Sequence, residues 1–296
     1  MEKGILFSIV IPTYNHAHLL GRCLDSIVNQ TYPNWEVIVV NNASTDNTIE
    51  VIERYKKYNV RYVNFNNDQG IAASRNVGLR VAQGDFVCFL DSDDWWKENK
   101  LEVCSLYTDN YDLIHHDLDI VYSEKGKGKF RKKIRGRDIS KDNFLEDVFM
   151  NGNPIKNSSV VLSTKFVKRI GFLDENLDLK AVEDFDYWIR AFKAGAKVRY
   201  IPESLGYYWM GNNTSYRLIQ IQRNRDIFNK YANEIKSEQV LGLINKNLMF
   251  QEARIYHSNR MFFKAFKLYF KSLDVRLQKS KLALIGIFLC LFRIKV

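Results

Sequence analysis

The sequence predicts an α/β protein, a Rossmann-like, mostly parallel sheet with helices on both faces, followed by a helical extension. Three observations lead there. Short strand-like runs alternate with helical patterns through the first half of the chain, which is the pattern of βαβ units. Those strand runs are unbroken stretches of apolar residues, as parallel strands buried on both faces are. Three polar clusters (Thr13 to Asn15, Asn41 with Asn42, and Asp91 to Asp94) each close such a run. Open α/β sheets bind ligands at that edge, beyond the carboxyl ends of the strands.

Residues 7–11 read as the first strand. Residues 18–29 read as a helix, with Leu19, Leu20, Cys23, Leu24, Ile27 and Val28 on one stripe. Residues 37–40 are a β-branched strand. "ASTDNT" is a turn rich in helix-capping residues, and residues 49–58 have helical spacing. A strand at 60–64, a helix at 71–82 and a strand at 86–90 follow. Beyond Leu106 the pattern loosens. Strands are expected at 113–116, 160–162 and 198–201, with a helix at 183–193. "EKGKGKFRKKIRGR" reads as a mobile basic loop, and everything from Arg217 onward is helical. The expected division is a sheet domain over 1–215 and a basic helical region over 216–296.

The formal net charge of +10 is unevenly placed. Residues 125–141 hold nine Lys/Arg against Asp138, and residues 254–296 hold ten against Asp274. The rest of the chain is therefore acidic. A nucleic-acid binder would carry its basic stripe on the folded platform, so nucleic acid is not an expected partner. Cys23, Cys88, Cys104 and Cys290 are scattered without a CxxC pair, which suits buried thiols in a reducing compartment. The N-terminus runs straight into a strand with no signal-peptide pattern, and a cytoplasmic location is expected.

Two constellations carry chemistry. "FVCFLDSDDWW" drives a buried strand into Asp91, Asp93 and Asp94. Carboxylates this close favour their neutral forms unless a cation sits among them. In isolation "DSDD" reads as a solvated turn capping the next helix. At the end of a buried strand, beside two other polar clusters, it reads as a site for Mg2+ or Mn2+, which bind one or two carboxylates plus substrate phosphates. In "AVEDFDYWIRAFKAG", Glu183 and Asp184 fall in the first turn of a helix. They read either as favourable charge at the helix N-terminus or as a general base, since paired carboxylates push each other's pKa apart.

Three long segments together resemble the family 2 glycosyltransferases, inverting enzymes of the GT-A fold that use nucleotide-diphosphate sugars. They are "SIVIPTYNHAHLLGRCLDSIVNQTYPNWEVIVVNNASTDNT", "QGIAASRNVGLRVAQGDFVCFLDSDD" and "GFLDENLDLKAVEDFDYWIRAFKAGAKVRYIPESLGYY". The resemblance runs from about Ser8 to about Ser215. It implies that Pro12, Thr13 and Tyr14 hold the base and ribose of the donor. Asp91, Ser92 and Asp93 match the DxD motif, and Asp94 the acid that follows it; together they would hold ribose, diphosphate and metal. Asp184 matches the catalytic base of the "ED" motif, beside Glu183, with Trp188 and Arg190 behind it. Arg75 and Asn76 match a helix under the diphosphate, and Arg75 reads equally well as a salt-bridge partner.

The chain also departs from the family pattern. Where many members carry "DDGS", this one carries "NNAS", so Asn42 stands at the base-reading position. It offers a donor and an acceptor to a uracil edge, and a UDP-sugar is the expected donor. "YYWMG" puts Met210 where a metal-approaching His is common. Met is a poor ligand for a hard cation, so a lean metal site is expected. His115 and His116 read as core or acceptor-side packing, and Trp95 and Trp96 as sugar-stacking or buried residues. Asn157 to Ser159 read as acceptor-cleft or turn residues.

In the tail, Phe262, Phe263, Phe266, Tyr269, Phe270 and Leu273 recur at helical spacing with Lys264, Lys267 and Lys271 opposite. "LALIGIFLCLF" then supplies eleven apolar residues between basic flanks. That is too short to span a bilayer and suits its interface. Packing as a helical subdomain is the competing reading for residues 262–273. With the resemblance, the tail implies a peripheral enzyme on the inner leaflet of the cytoplasmic membrane, acting on a lipid-linked glycan in O-antigen or capsule assembly. Two rivals remain at this stage. One is a non-catalytic sugar-nucleotide-binding or scaffold protein on the same fold. The other, a nucleotidyltransferase, would call for a Gly-rich basic loop that "IPTYNHAH" is not.

Overall fold

The computed structural model describes residues 4–66, 70–122, 132–139, 142–211, 217–277 and 279–295. The chain divides into two units, Met1–Asp138 with Pro154–Asn212, and Ile139–Asn153 with Asn213–Val296. In chain order the first unit contains β1 (Phe7–Thr13), α1 (Ala17–Val28), β2 (Trp35–Asn42), α2 (Thr48–Glu53), β3 (Val60–Phe65), α3 (Ile71–Val81), β4 (Phe86–Phe89), β5 (Trp95–Trp96), α4 (Lys100–Ser105), β6 (Leu113–Val121) and β7 (Lys133–Ile134). After α5 (Phe144–Asn151), which belongs to the second unit, it resumes with β8 (Val161–Ser163), α6 (Thr164–Ile170), α7 (Glu183–Lys193) and β9 (Val198–Trp209).

The strands form one sheet in the order β3-β2-β1-β4-β8-β6-β9-β5, with β7 beside β6. β3, β2, β1 and β4 are mutually parallel. β8 joins β4 and β6 antiparallel, and β6 pairs β9 in parallel again. Alternation along the strands feeds two cores, one on each face. Phe7, Ile9, Ile11, Val37, Val39 and Cys88 lie in one. Val10, Ile38, Val40, Val87 and Phe89 lie in the other, packed with Trp188 and Tyr187 of α7.

Several elements differ from the sequence expectation. α2 stops at Glu53, where the backbone tightens into i to i+3 bonds from Tyr55 to Ile52 and from Lys56 to Glu53. β6 and β9 run far beyond the expected residues, to Val121 and Trp209. Register shifts between His116 and Asp117 and between Asp117 and Asp119 interrupt their pairing without ending it. Such bulges erase the alternation by which a strand is recognised. The basic loop falls mostly on residues 123–131, outside the described residues, as does Ser215.

The second unit adds α8 (Ile219–Tyr231), α9 (Glu238–Ser258), α10 (Phe262–Lys271) and α11 (Ser280–Leu291) to α5. The expected boundary at residue 215 left α5 in the sheet domain, and the structure corrects this. Asn247 of α9 donates to the Phe149 carbonyl at 2.8 Å, Lys279 donates to the Met150 carbonyl at 3.1 Å, and Phe149 meets Phe228 edge to face. Phe250, Ala253, Ala265, Tyr269, Ala283 and Cys290 form a small core of their own. Among the described residues, no helix is long and apolar enough to cross a membrane.

Gly84, just before β4, sits where backbone approaches backbone. A Cβ there would lie 2.6 Å from the Leu6 carbonyl oxygen and 2.7 Å from the Ser8 nitrogen. Gly84→Ala should therefore destabilise the fold by roughly 1–3 kcal/mol, read as a lowered urea midpoint. An unchanged midpoint would show that β1 and β4 can part at no cost.

Candidate active site

Parallel pairing in register sets the geometry of the sheet edge. Thr13 stands opposite Asn41, and β4 lies on the other side of β1. The loops beyond these strands are tied together. Asn15 donates its backbone N–H to Ser44 Oγ at 2.9 Å, and its side-chain oxygen accepts from the Thr45 N–H at 2.8 Å. Asp46 accepts from the Ala17 N–H at 3.0 Å. His16 Nδ1 lies 2.8 Å from Ser92 Oγ, joining the first loop to the acidic one. Asn15 and Ala43 hold left-handed backbones, with φ of 52° and 55°, a conformation that Asn tolerates and Ala adopts only under constraint.

Of the expected donor residues, Tyr14 is exposed and Asn42 half-buried, whereas Pro12, Thr13 and Ser92 are buried. Thr13 Oγ1 is buried with no hydrogen-bond partner among the described residues. Asn41 is committed to the scaffold. Its amide donates to Asn64 at 3.0 Å and its oxygen accepts from the Ser44 N–H at 3.2 Å.

The two acidic motifs meet on one buried cation. Arg75, on α3, is 2% exposed. Its Nη2 donates to Asp91 Oδ1 at 2.7 Å and its Nη1 to Glu183 Oε1 at 2.9 Å. With its amide turned to satisfy both ends, Asn157 accepts from the same two nitrogens at 2.9 and 3.2 Å. Sequence positions 108 apart are thereby joined, and Asp184 follows Glu183 directly. Arg75 is a salt-bridge partner, its terminal nitrogens taken and hidden from a diphosphate. Glu183, also buried, gives its Oε1 to Arg75.

The remaining acids divide by environment. Asp94 is buried, its Oδ2 accepting from Ser158 Oγ at 2.5 Å and its Oδ1 from the Trp209 N–H at 2.8 Å. Burial, then Asp93 and Asp91, raise its carboxyl well above the usual range. The resemblance implies a metal ligand at Asp94; in the structure its two oxygens take these bonds, and Asp94 anchors the acidic loop to β9. Asp93 is partly exposed, and burial together with Asp91 pushes its carboxyl up to about 6. Asp184 is half-buried, and burial followed by the charge of Glu183 pushes it up to about 6, with Lys156 and Arg75 pulling the other way.

Asp91 and Asp93 offer an all-oxygen donor set that fits a hard divalent cation. Among the described residues no group of three or more His, Cys, Asp or Glu could hold a metal ion. These two carboxylates would be the protein's share of such a site, with substrate oxygens and water completing it.

Several neighbours were not legible in the sequence. The Tyr208 phenol is raised by burial, then by the charges of Asp94, Asp91, Asp93 and Asp184. Arg22 of α1 donates to the Asp93 carbonyl at 3.0 Å, and its guanidinium lies 3.7 Å from the Trp95 ring centroid and 5.0 Å from that of Trp209. Ser158 bonds both Asp94 and the Asp91 N–H, and Trp96 donates to the Ser158 carbonyl. The 157–159 segment is therefore a brace beneath the acids. Trp96 is buried, whereas Trp95 stacks on Tyr207. His115 and His116 are core residues. Burial drives His115 down to about 3, and His116 bonds the Asp117 carbonyl. Met210 joins β6 through its backbone N–H.

The description Glycosyl transferase family 2 matches residues 8–160, and Glycosyl transferase family group 2 matches residues 86–294. The amylovoran biosynthesis glycosyltransferase AmsB of Erwinia amylovora is 32% identical over 216 residues, covering 70% of this chain and 71% of that protein. The Escherichia coli UDP-Glc:alpha-D-GlcNAc-diphosphoundecaprenol beta-1,3-glucosyltransferase WfgD is 34% identical over 127 residues, 42% of this chain and 50% of that protein. The structure of S. aureus TarS in complex with UDP-GlcNAc matches with a TM-score of 0.62 at 20% identity, covering 98% of this chain and 88% of that one. The mannosyltransferase PcManGT of Pyrobaculum calidifontis, in complex with GDP-Man and Mn2+, matches with a TM-score of 0.61 at 18% identity, covering 98% and 81%. These two likenesses establish the fold.

Removing the Arg75 charge while keeping its bulk would leave Asp91 and Glu183 without their shared partner. Arg75→Met should cost roughly 3–5 kcal/mol of stability, measured by chemical denaturation. A loss below about 1 kcal/mol would mean that the pair behaves as an exposed one.

Proposed function

The chain belongs to glycosyl transferase family 2 and has the GT-A fold, and from that membership we propose that it is an inverting, metal-dependent glycosyltransferase. It moves a sugar, a hexose in our reading, from a UDP-sugar to a hydroxyl of a lipid-linked glycan in cell-surface polysaccharide synthesis. The observation that carries this reading is the shared ion pair. Because Arg75 holds both Asp91 and Glu183, the acids suited to a cation and the acid suited to a base belong to one site. WfgD is named for a UDP-glucose donor and a diphosphoundecaprenol-linked acceptor. TarS was solved with UDP-GlcNAc. Both names support the donor class, and the first supports the lipid carrier. The basic helical region supports a place on the inner leaflet of the cytoplasmic membrane, where such a carrier is met.

In this reading Tyr14, Thr13 and Asn42 line the base and ribose, with Asn42 offering its amide to the uracil edge. Asp93 and Asp91 would hold Mn2+ or Mg2+, which when bound neutralises charge on the departing nucleoside diphosphate. Arg22, through the Asp93 carbonyl and the two indoles, keeps that loop in place. Asp184 takes the proton of the acceptor hydroxyl. The freed oxygen attacks the anomeric carbon on the face opposite the diphosphate, the carbon–oxygen bond to phosphate breaks, and the configuration inverts. A base must be ionised to act, and the raised carboxyl of Asp184 sets where that happens.

Three outcomes follow, each read on a panel of nucleotide sugars with and without a lipid-diphosphate sugar acceptor. Asp184→Asn should retain donor affinity by calorimetry while turnover falls by at least about 100-fold; full turnover would remove Asp184 from the chemistry. With metal saturating, kcat/KM should fall as pH drops through about 6, because protonation removes the base. A profile flat down to pH ~4, the range of an unperturbed carboxylate, would contradict the assignment. Asp93→Ala should abolish the gain in donor affinity that Mn2+ brings, and an unchanged gain would place the cation elsewhere.

A further inference from the structure

α11 is packed the wrong way round for a helix that ends in water. Its buried positions are Ala283, Gly286 and Cys290, all small. Gly286 is required there, since a Cβ would lie 2.6 Å from the Tyr269 ring of α10. The small side lets α11 lie close against its neighbours, and the large side chains are turned outward. Leu282, Leu284, Ile285, Phe288, Leu291 and Phe292 are each 55–65% exposed. No charge interrupts residues 282–292. Soluble monomers seldom leave so continuous an apolar face uncovered. On α10, Phe263 and Phe270 are exposed as well, between Lys264, Lys267 and Lys271, which are also exposed.

Charge identifies what covers this face. Lys281, Arg293 and Lys295 flank it and are exposed, and residues 254–296 carry ten Lys/Arg against the single acid Asp274. A second copy would bring these cations against one another. A spanning role is closed to it, because a twelve-residue helix is about 18 Å long against about 30 Å of hydrocarbon. A surface that accepts apolar side chains and attracts a cationic rim is the interface of an anionic bilayer.

We propose that α11 lies in the plane of an anionic leaflet, its outer face in the headgroup–acyl boundary and Lys281, Arg293 and Lys295 on the lipid phosphates. The inference rests on the membrane location proposed above, to which it gives a surface and a lipid chemistry. It needs neither donor nor catalysis.

The test is co-sedimentation of the full chain with vesicles of phosphatidylcholine alone or mixed with phosphatidylglycerol. The Ile285→Asn/Phe288→Ser variant, altered only at exposed positions, is run beside it, with circular dichroism and donor hydrolysis as controls. We expect binding to the anionic vesicles that weakens with salt, and roughly tenfold weaker binding to neutral vesicles. The variant should bind anionic vesicles at least about tenfold more weakly while its fold and hydrolysis stay unchanged. Equal binding by both proteins would keep the membrane location and overturn the assignment to α11. No binding to either vesicle would overturn both and leave glycosyl transfer standing. A dimer in light scattering that the variant loses would overturn the proposal in favour of a second copy of the chain.

Discussion

A guanidinium that is almost wholly withdrawn from water is the fixed point of this structure. Removing Arg75 from solvent is costly unless its hydrogens find acceptors, and two carboxylates and an amide provide them. Each acceptor comes from a different part of the chain: the loop after β4, the first turn of α7, and the segment before β8. α3 carries the cation beneath the sheet edge, and the three segments are drawn to it. The relative placement of Asp93 and Asp184, which no local rule would dictate, follows from this pairing.

Around that point the electrostatics are deliberately unbalanced. One buried arginine neutralises part of the charge of a group that includes Asp91, Asp93, Asp94, Glu183 and Asp184. The excess is expressed as raised proton affinity at Asp93, Asp94 and Asp184. Protons are one answer to such an excess and a divalent cation is another. Asp91, Asp93 and Asp184 are still partly open to solvent, and of these Asp91 and Asp93 stand two positions apart on one loop.

Much of the fold was legible because parallel strands buried on both faces are written as apolar runs. β1 to β4 and α1, α3 and α7 sit within a residue or two of their expected places. The long β6 and β9 pair was not, since bulges break its alternation and Pro202 and Gly206 lie inside β9. α5 lies on the sheet side of the expected boundary at 215 yet belongs to the second unit, because the Asn247 that bonds its Phe149 carbonyl is 98 positions away. In the site, residue types at motif spacing picked out the acids but not how each is used. Glu183 and Asp184 are adjacent in sequence and look alike, yet Glu183 is buried on Arg75 and Asp184 is partly exposed. Arg22, Ser158 and Tyr208 carried no signal, because nothing in the sequence around them foretells that α1, the 157–159 turn and the end of β9 converge on one loop.

The bond from the Trp209 N–H to Asp94 gives the acidic triplet an inner division of labour. Two of its members stay partly open to solvent, and the third is a tether that stitches the loop to the last strand of the sheet. In the proposed reading, an alanine scan would score all three alike as loss of activity, although only two of those losses would concern the cation. The third would be a slackened loop, recognisable because excess metal does not restore it.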